Sequence, residues 1–592
     1  MNKYESFHFS ALNNRSMLMP RIKRGEPFVR KNRLVNAFEP VPEEKLIPEH
    51  PYCQINTGLT EKTIDINGEV RKYSIYVPED MRSKGACALV MPENGVSAKE
   101  FLERENWKEL SEKNKLAYII LEAEQWNKDN VEQEFDFIQT VVDLEFQQRM
   151  TVDICESYIY PIGLGDGAYV ASALAAVYSA TYPAFAADGD CSVDPELFEV
   201  LRKLPADGIV TMMKPEIAMP GFMIDRSGRA DAAQKYFLET IRAKEEGLRN
   251  EYGRVYLEHP RRGAWFVNEQ PVAQVWLANE NSVQGKSREE LNEAMVGFVL
   301  RFSRWGGFGN NHLRLKRSLK ETGVIRVEKE IDGLPRYWDV FVPSCYRQEE
   351  EKVYPLVVAI HGFSCNSEYF EMTSDWQRLA EERGFFVVFA SAYPRNIGRA
   401  RFPVPGWSVW PMLQEGVDET IYFKELLDTT MRDYRIDRER VYAAGHSNGG
   451  RMTQTLMRKM PERFAAFGPT GSLAGSSADT LEPIDDSIDR PVFIMMGEYD
   501  IVDPELKEGT AARGTVELYS KANHAAFNDT NWYDNGNYHT LVLYNDDHVP
   551  LVNYTIMRDC PHTYTGEMAQ MTWDLFFCHF RRLADGTIEY KG

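Results

Sequence analysis

Residues 441–460 read VYAAGHSNGGRMTQTLMRKM: an apolar run, a cluster of small residues, then apolar residues at helical spacing. The first part predicts a buried strand and the last a helix, so Gly445-His446-Ser447-Asn448-Gly449 falls on the sharp turn between them. G-x-S-x-G in that context is a nucleophile elbow, in which the serine hydroxyl is lifted above the sheet edge. Glycines flank the serine because the turn is too tight for side chains. An ordinary turn rich in small residues is the competing reading. The strand before, the helix after and the further Gly450 favour the elbow, which makes Ser447 the candidate nucleophile.

A serine hydroxyl needs a base, and the base needs an orienting carboxylate. On this kind of fold they follow in the order serine, acid, histidine. Residues 491–504, PVFIMMGEYDIVDP, predict a strand and a loop carrying Glu498, Asp500 and Asp503. Asp500 is the expected acid, Glu498 the runner-up, and Asp503, before Pro504, belongs to turn chemistry. Of the downstream histidines, His539 and His548 flank a strand, His579 falls in the last predicted helix, and His524 is a further candidate. His562 lies between the last predicted strand and the final helix, where the base belongs.

The oxyanion hole needs two backbone N–H groups. Asn448, after the nucleophile, supplies one, and Phe363 in LVVAIHGFSCNS (356–367) is the expected second donor. Three residues are candidates for the substrate site. His361 is expected to fix the oxyanion loop there rather than act as a second base. Trp407 and Trp410 of PVPGWSVWP (403–411) are candidate walls for a feruloyl or sugar ring, with packing as the competing role. Cys365 reads as a small buried thiol.

Five blocks carry a family resemblance: PLVVAIHGFSCN, YRIDRERVYAAGHSNGGRM, PERFAAF, MMGEYDIVDP and PHTY. In order and spacing they resemble the polyhydroxybutyrate depolymerase-like and feruloyl esterase group of α/β-hydrolases, over about residues 330–585. The resemblance implies a Ser447–Asp500–His562 triad, a carboxylic-ester substrate and a metal-free acyl-enzyme mechanism. Such relatives are usually exported.

The chain also contains an internal repeat. ALVMPENGVSAKEF (88–101) lies over VVAIHGFSCNSEYF (357–370), AYIILEA (117–123) over FVVFASA (386–392), and NGEVRKYSIYVP (67–78) over DGLPRYWDVFVP (332–343). LNEAMVGFVLRFSRWGG (291–307) and AQMTWDLFFCHFRRLADG (569–586) both predict amphipathic helices ending at glycine. The expected organisation is an arm (1–59), a first copy (60–305), a linker (306–322) and a second copy (323–592). The expected fold is α/β: tandem α/β-hydrolase domains, each a mostly parallel sheet flanked by helices. In the first copy Gly165 takes the serine's place, Pro92-Glu93-Asn94 replaces the His-Gly-Phe turn, and Asn281 falls near the position of His562. That copy reads as a catalytically dead domain that packs on the second or shapes its substrate mouth. Its Gly163-x-Gly165-x-x-Ala168, with Asp188 downstream, imitates a dinucleotide-binding fingerprint but is already explained as an elbow remnant.

Composition sets the outer bounds. A chain of 592 residues exceeds the about 250–300 that one core supports. The 68 Lys and Arg against 89 Asp and Glu give a net charge of −21, which argues against nucleic acid or an anionic membrane as partner. No apolar run approaches the ~18–20 residues of a bilayer span. The amino terminus does not read as a signal peptide. Its Arg21, Lys23, Arg24, Arg30, Lys31 and Arg33 form a basic arm expected to lie on the acidic body. Eight cysteines without CxxC spacing read as reduced thiols and, with no export signal, as a cytoplasmic protein. No HExxH, P-loop or EF-hand motif implies a metal or cofactor. The expected activity is serine esterase on feruloyl, acetyl or hydroxyalkanoate esters. A serine peptidase on the same fold and a non-catalytic scaffold are the alternatives, and an oligomer is left open.

Overall fold

The computed structural model describes residue 4 and residues 41–592, apart from 48, 67, 148–149, 180, 204–216, 245, 260–271, 305–312, 317–322, 398–401, 410–416 and 476–483. The basic arm and Trp410 lie outside the described residues. The chain divides into two compact units, one containing Tyr52–Lys316 and the other Arg317–Ile397 and Pro403–Gly592.

The sheet of the first unit is built from β1 (Gly58–Ile66), β2 (Glu69–Val77), β3 (Gly85–Met91), β4 (Leu116–Glu122), β5 (Ile154–Gly165), β6 (Phe185–Gly189), β7 (Gly221–Asp225), β8 (Leu248–Arg249), β9 (Arg254–Leu257) and β10 (Gln274–Asn279). A short ribbon of β11 (Phe302–Arg304) and β12 (Leu313–Leu315) follows, so part of the stretch expected as linker is paired as a strand. The sheet of the second unit comprises β13 (Val324–Ile331), β14 (Leu334–Phe341), β15 (Tyr354–Ile360), β16 (Phe386–Ala390), β19 (Ile436–His446), β20 (Ala466–Thr470), β21 (Val492–Tyr499), β22 (Trp532–Asn535), β23 (Tyr538–Tyr544) and β24 (Pro550–Pro561). Two small ribbons, β17 (Pro394–Arg395) with β18 (Val404–Pro405) and β25 (Phe580–Arg582) with β26 (Ile588–Tyr590), stand outside it.

Both sheets have the same strand order, β1-β2-β4-β3-β5-β6-β7-β10-β9-β8 and β13-β14-β16-β15-β19-β20-β21-β24-β23-β22. The centre is parallel and the margins antiparallel. The sequence explains that division. β15 (YPLVVAI) is buried at every position, as a parallel strand covered on both faces must be. β13 (VIRVEKEI) interleaves exposed and half-buried positions, as a margin does. Asp332 and Gly333 turn between β13 and β14 at φ values of 53° and 72°, the double positive φ that an Asp-Gly hairpin supplies at low cost.

The two helices expected to run to glycine stop early. They span Arg288–Val299 and Gly566–Leu575; the chain then enters β11, and reaches β25 after a short 3-10 helix at Phe577–His579. The apolar stripe continues past the helix ends because Phe302 and Phe580 are buried strand residues, which sequence spacing alone does not separate from another helical turn. Each of these strands ends in a buried arginine capturing a carbonyl: Arg304 Nε donates to Tyr182 O at 2.9 Å and Arg582 Nε to Phe464 O at 2.7 Å.

Candidate active site

The site is assembled at the carboxyl ends of the parallel strands of the second unit. β19 ends at His446, and the helix Asn448–Lys459 starts two residues later. Ser447 between them has φ 56° and ψ −117°, a conformation that costs a side-chain-bearing residue roughly 1–3 kcal/mol. The surrounding fold holds it there. Ser447 N donates to Thr470 O at 2.9 Å. A Cβ on Gly445 would meet Gly449 O at 2.4 Å, and one on Gly449 would meet Ile360 O at 2.2 Å. Glycine at both flanks is therefore required by close backbone approach.

Asp500 follows β21 and His562 follows β24, two neighbouring strands. Their side chains meet, with His562 Nδ1 donating to Asp500 Oδ1 at 2.7 Å, and are only 5% and 1% exposed. The same carboxylate oxygen accepts from Ile501 N at 2.7 Å. With Nδ1 committed to the carboxylate, Nε2 is the nitrogen left to accept a proton. His562 also lies against the elbow: its ring centroid is 4.7 Å from that of His446, the residue before Ser447.

Asp503, His524, His539 and His579 are engaged elsewhere. Asp503 Oδ1 accepts from Glu505 N at 2.9 Å in a local turn. His539 stacks on Trp532 and hydrogen-bonds Asp534, His524 bonds Asp486 O, and both ring nitrogens of His579 face carbonyls. His548 sits in a turn at positive φ.

The loop expected to supply the second oxyanion donor packs on the elbow. A Cβ on Gly362 would lie 3.5 Å from Ser447 Cβ, and Ser364, at φ 61°, closes the turn that contains Phe363. Asn448 is the first residue of its helix, where backbone N–H groups have no partner within the helix.

Trp407 and His361 take the other roles the sequence offers, packing for Trp407 and fixing the loop for His361, which corrects their assignment as substrate-binding residues. Trp407 and His361 are each 0% exposed and cannot touch a substrate. Trp407 packs in the core against Tyr422 and Phe423, with Nε1 donating to His361 O at 2.9 Å. His361 accepts from Ala392 N through Nε2 at 3.0 Å and meets Gly362 O through Nδ1 at 2.6 Å. Burial pushes its pKa down to about 4, so it stays neutral and fixes the loop. The apolar ring of Trp407 is satisfied by burial because its one polar atom finds a carbonyl.

Sequence reading missed the clasp beneath the loop that carries Phe363. The Asn448 carboxamide brackets Trp407, accepting from its N at 2.7 Å and donating to its O at 3.4 Å, while Ser364 N donates to Pro405 O at 2.8 Å. No motif signals such a side-chain bracket.

At the matching register of the first unit stands Gly165, with φ 55°. The Glu93 side chain occupies the space above it, since a Cβ on Gly165 would lie 2.3 Å from Glu93 Cγ. Asp166 is paired with Lys128 at 2.7 Å and Asn94 at 2.9 Å. Asp188 is held by Arg226 at 2.6 Å and Arg288 at 2.8 Å. A carboxylate at that helix start repels a pyrophosphate, and Asp188 is already committed, so neither end of a dinucleotide has a seat. Asn281 is exposed in a turn. All eight cysteines are free thiols, and no group of three or more metal-ligating residues occurs among the described residues. No helix of the described residues is long and apolar enough to cross a membrane.

A family model described as putative esterase matches residues 334–540. The bifunctional acetylxylan esterase/xylanase XynS20E of Neocallimastix patriciarum is 30% identical over 199 residues, 33% of this chain and 26% of that protein. The S-formylglutathione hydrolase of Paracoccus denitrificans (strain Pd 1222) is 24% identical over 169 residues, 25% of this chain and 56% of that protein. Among solved structures, the acetyl xylan esterase from Aspergillus awamori aligns with a TM-score of 0.31 at 16% identity, covering 42% of this chain and 98% of that one. The chain therefore spans about a quarter of the length of the first of these curated relatives and just over half of the second.

Proposed function

We propose that the second unit is a serine hydrolase of carboxylic esters, with Ser447 as nucleophile, His562 as base and Asp500 as its orienting carboxylate. The observation that carries this reading is the buried 2.7 Å hydrogen bond from His562 to Asp500 beside the strained Ser447 elbow. Ser447 Oγ attacks the ester carbonyl carbon as His562 Nε2 takes its proton, and the Asp500 carboxylate stabilises the imidazolium. The backbone N–H groups of Phe363 and Asn448 receive the tetrahedral oxyanion. The C–O bond to the alcohol breaks, and His562 returns the proton to the leaving oxygen. Water then attacks the acyl-enzyme by the same route, releasing the acid and restoring Ser447.

The matching putative-esterase model favours an ester substrate, and the acetylxylan esterase and S-formylglutathione hydrolase relatives favour small acyl groups, acetyl first, with feruloyl and hydroxyalkanoate esters also within the proposed class. The first unit has no nucleophile at its elbow and is read as catalytically inert. Replacing Ser447 by alanine is expected to lower p-nitrophenyl acetate turnover by at least about 10³-fold with unchanged circular dichroism. Retained turnover refutes the assignment. Cleavage of aminoacyl-naphthylamides in preference to aryl esters makes it a peptidase, and failure to react with a fluorophosphonate makes it a scaffold.

A further inference from the structure

The steps above leave one histidine of the elbow without a task. His446 ends β19 and pairs with Thr470 of β20. Its ring lies 4.7 Å from that of His562, centroid to centroid, tilted by 37°. Its Nε2 is buried and meets no hydrogen-bond partner among the described residues. Gly471, following β20, is what allows the rings to approach. It has φ 60°, and a Cβ there would lie 3.0 Å from His446 Nε2 and 3.1 Å from His562 Cε1. Three strand ends thus bring two imidazoles to one point and keep other side chains out of it. Tyr564 flanks His446 as well, with ring centroids 6.0 Å apart. The first unit offers an internal control. At the same register, one residue before Gly165, it carries Leu164. The unit without the hydroxyl also lacks the second imidazole.

We propose that His446 is a positioning residue for the reaction at Ser447: its uncharged ring face buttresses His562 and favours the charge that His562 takes up with the serine proton. The proposal rests on the reading of Ser447 and His562 given above. Burial first, and the adjacent His562 second, hold the His446 pKa well below the ordinary imidazole range. It therefore stays neutral and presents a π face rather than a competing cation. An aromatic face attracts a neighbouring cation, and tilted ring pairs are mutually favourable. Constraint on the ring also matters, because a misplacement of about 1 Å in a reacting group can cost about 10²-fold in rate.

The test measures kcat and KM on p-nitrophenyl acetate for H446A, H446F and H446L, with S447A alongside and thermal melting as a fold check. H446A is expected to lower kcat by about 10- to 100-fold with KM within about twofold, and H446F to recover kcat to within about threefold of the parent. If H446A does not fold, H446L carries the same comparison, since it fills volume without a π face, and its kcat should stay at least about fivefold below that of H446F. Full kcat in H446A, a loss confined to KM, or H446F no better than H446A or H446L overturns the proposal. Activity surviving in S447A overturns the underlying assignment instead, so the two failures are distinguishable.

Discussion

The Asp500→Asn substitution isolates the charge of the carboxylate proposed to orient His562. Asp500 Oδ1 accepts from both His562 Nδ1 and Ile501 N, each at 2.7 Å. Because the Ile501 N–H is a donor that cannot rotate away, the carboxamide of D500N keeps its oxygen at that position. His562 Nδ1 can then still donate to it, and the tautomer with Nε2 free is retained. What disappears is the negative charge facing the imidazolium, which exists only once the serine proton has moved. Unit charges about 4 Å apart at an effective dielectric of about 20 attract by about 4 kcal/mol. Nearly all of that is exerted in the transition state, so kcat/KM should fall by about 10³-fold at 1.36 kcal/mol per decade. Steady-state hydrolysis of p-nitrophenyl acetate measures it, with E498Q as the control expected to stay within a few fold of the parent. D500N retaining more than about a tenth of parental kcat/KM, or E498Q showing the larger loss, refutes the reasoning.

Other outcomes follow from individual contacts. His361 is buried neutral with its pKa near about 4, against about 6.5 when unfolded, so between those values the unfolded chain binds more protons and stability falls as pH drops. Denaturant titrations across that window should show a shallower pH dependence in H361Q, by up to about 3 kcal/mol over the whole range. Trp407→Phe strands the buried His361 carbonyl that Nε1 now serves, and chemical denaturation should report a loss of about 1–3 kcal/mol together with reduced kcat. Gly165→Ser in an S447A background places a hydroxyl in the first unit beneath the Glu93 side chain, and fluorophosphonate labelling should remain absent.

The elbow was legible because the constraint producing it is local. Tight backbone approaches at Gly445 and Gly449 exclude side chains, and that exclusion is written directly as glycine. The meeting of Asp500 with His562 was legible for a related reason: in a parallel sheet, residues just past neighbouring strands converge, and strand ends can be read from apolar runs. The sequence left Trp407 open between packing and a substrate wall because its fate depends on partners distant in sequence. The loop that carries it looks the same whether its ring faces water or Tyr422 and Phe423. His446 was visible inside the motif, but its meeting with His562 needs Gly471, a residue that no pattern ties to either ring. The ends of the helices Arg288–Val299 and Gly566–Leu575 are not marked in the sequence, because an apolar stripe continues unchanged from a helix through a short turn into a buried strand.

Two ten-stranded sheets of one topology in a single polypeptide pose a sorting problem during synthesis. An unpaired β14 offers its backbone to β4 as readily as to β16, since ladder hydrogen bonds carry no identity. Vectorial emergence from the ribosome relieves this, because the leading half can close its ladder before the trailing half exists. Refolding from denaturant removes that order and sets both halves free at once. Yield on dilution should therefore lag well behind yield from cells, with strand-exchanged species as the by-product.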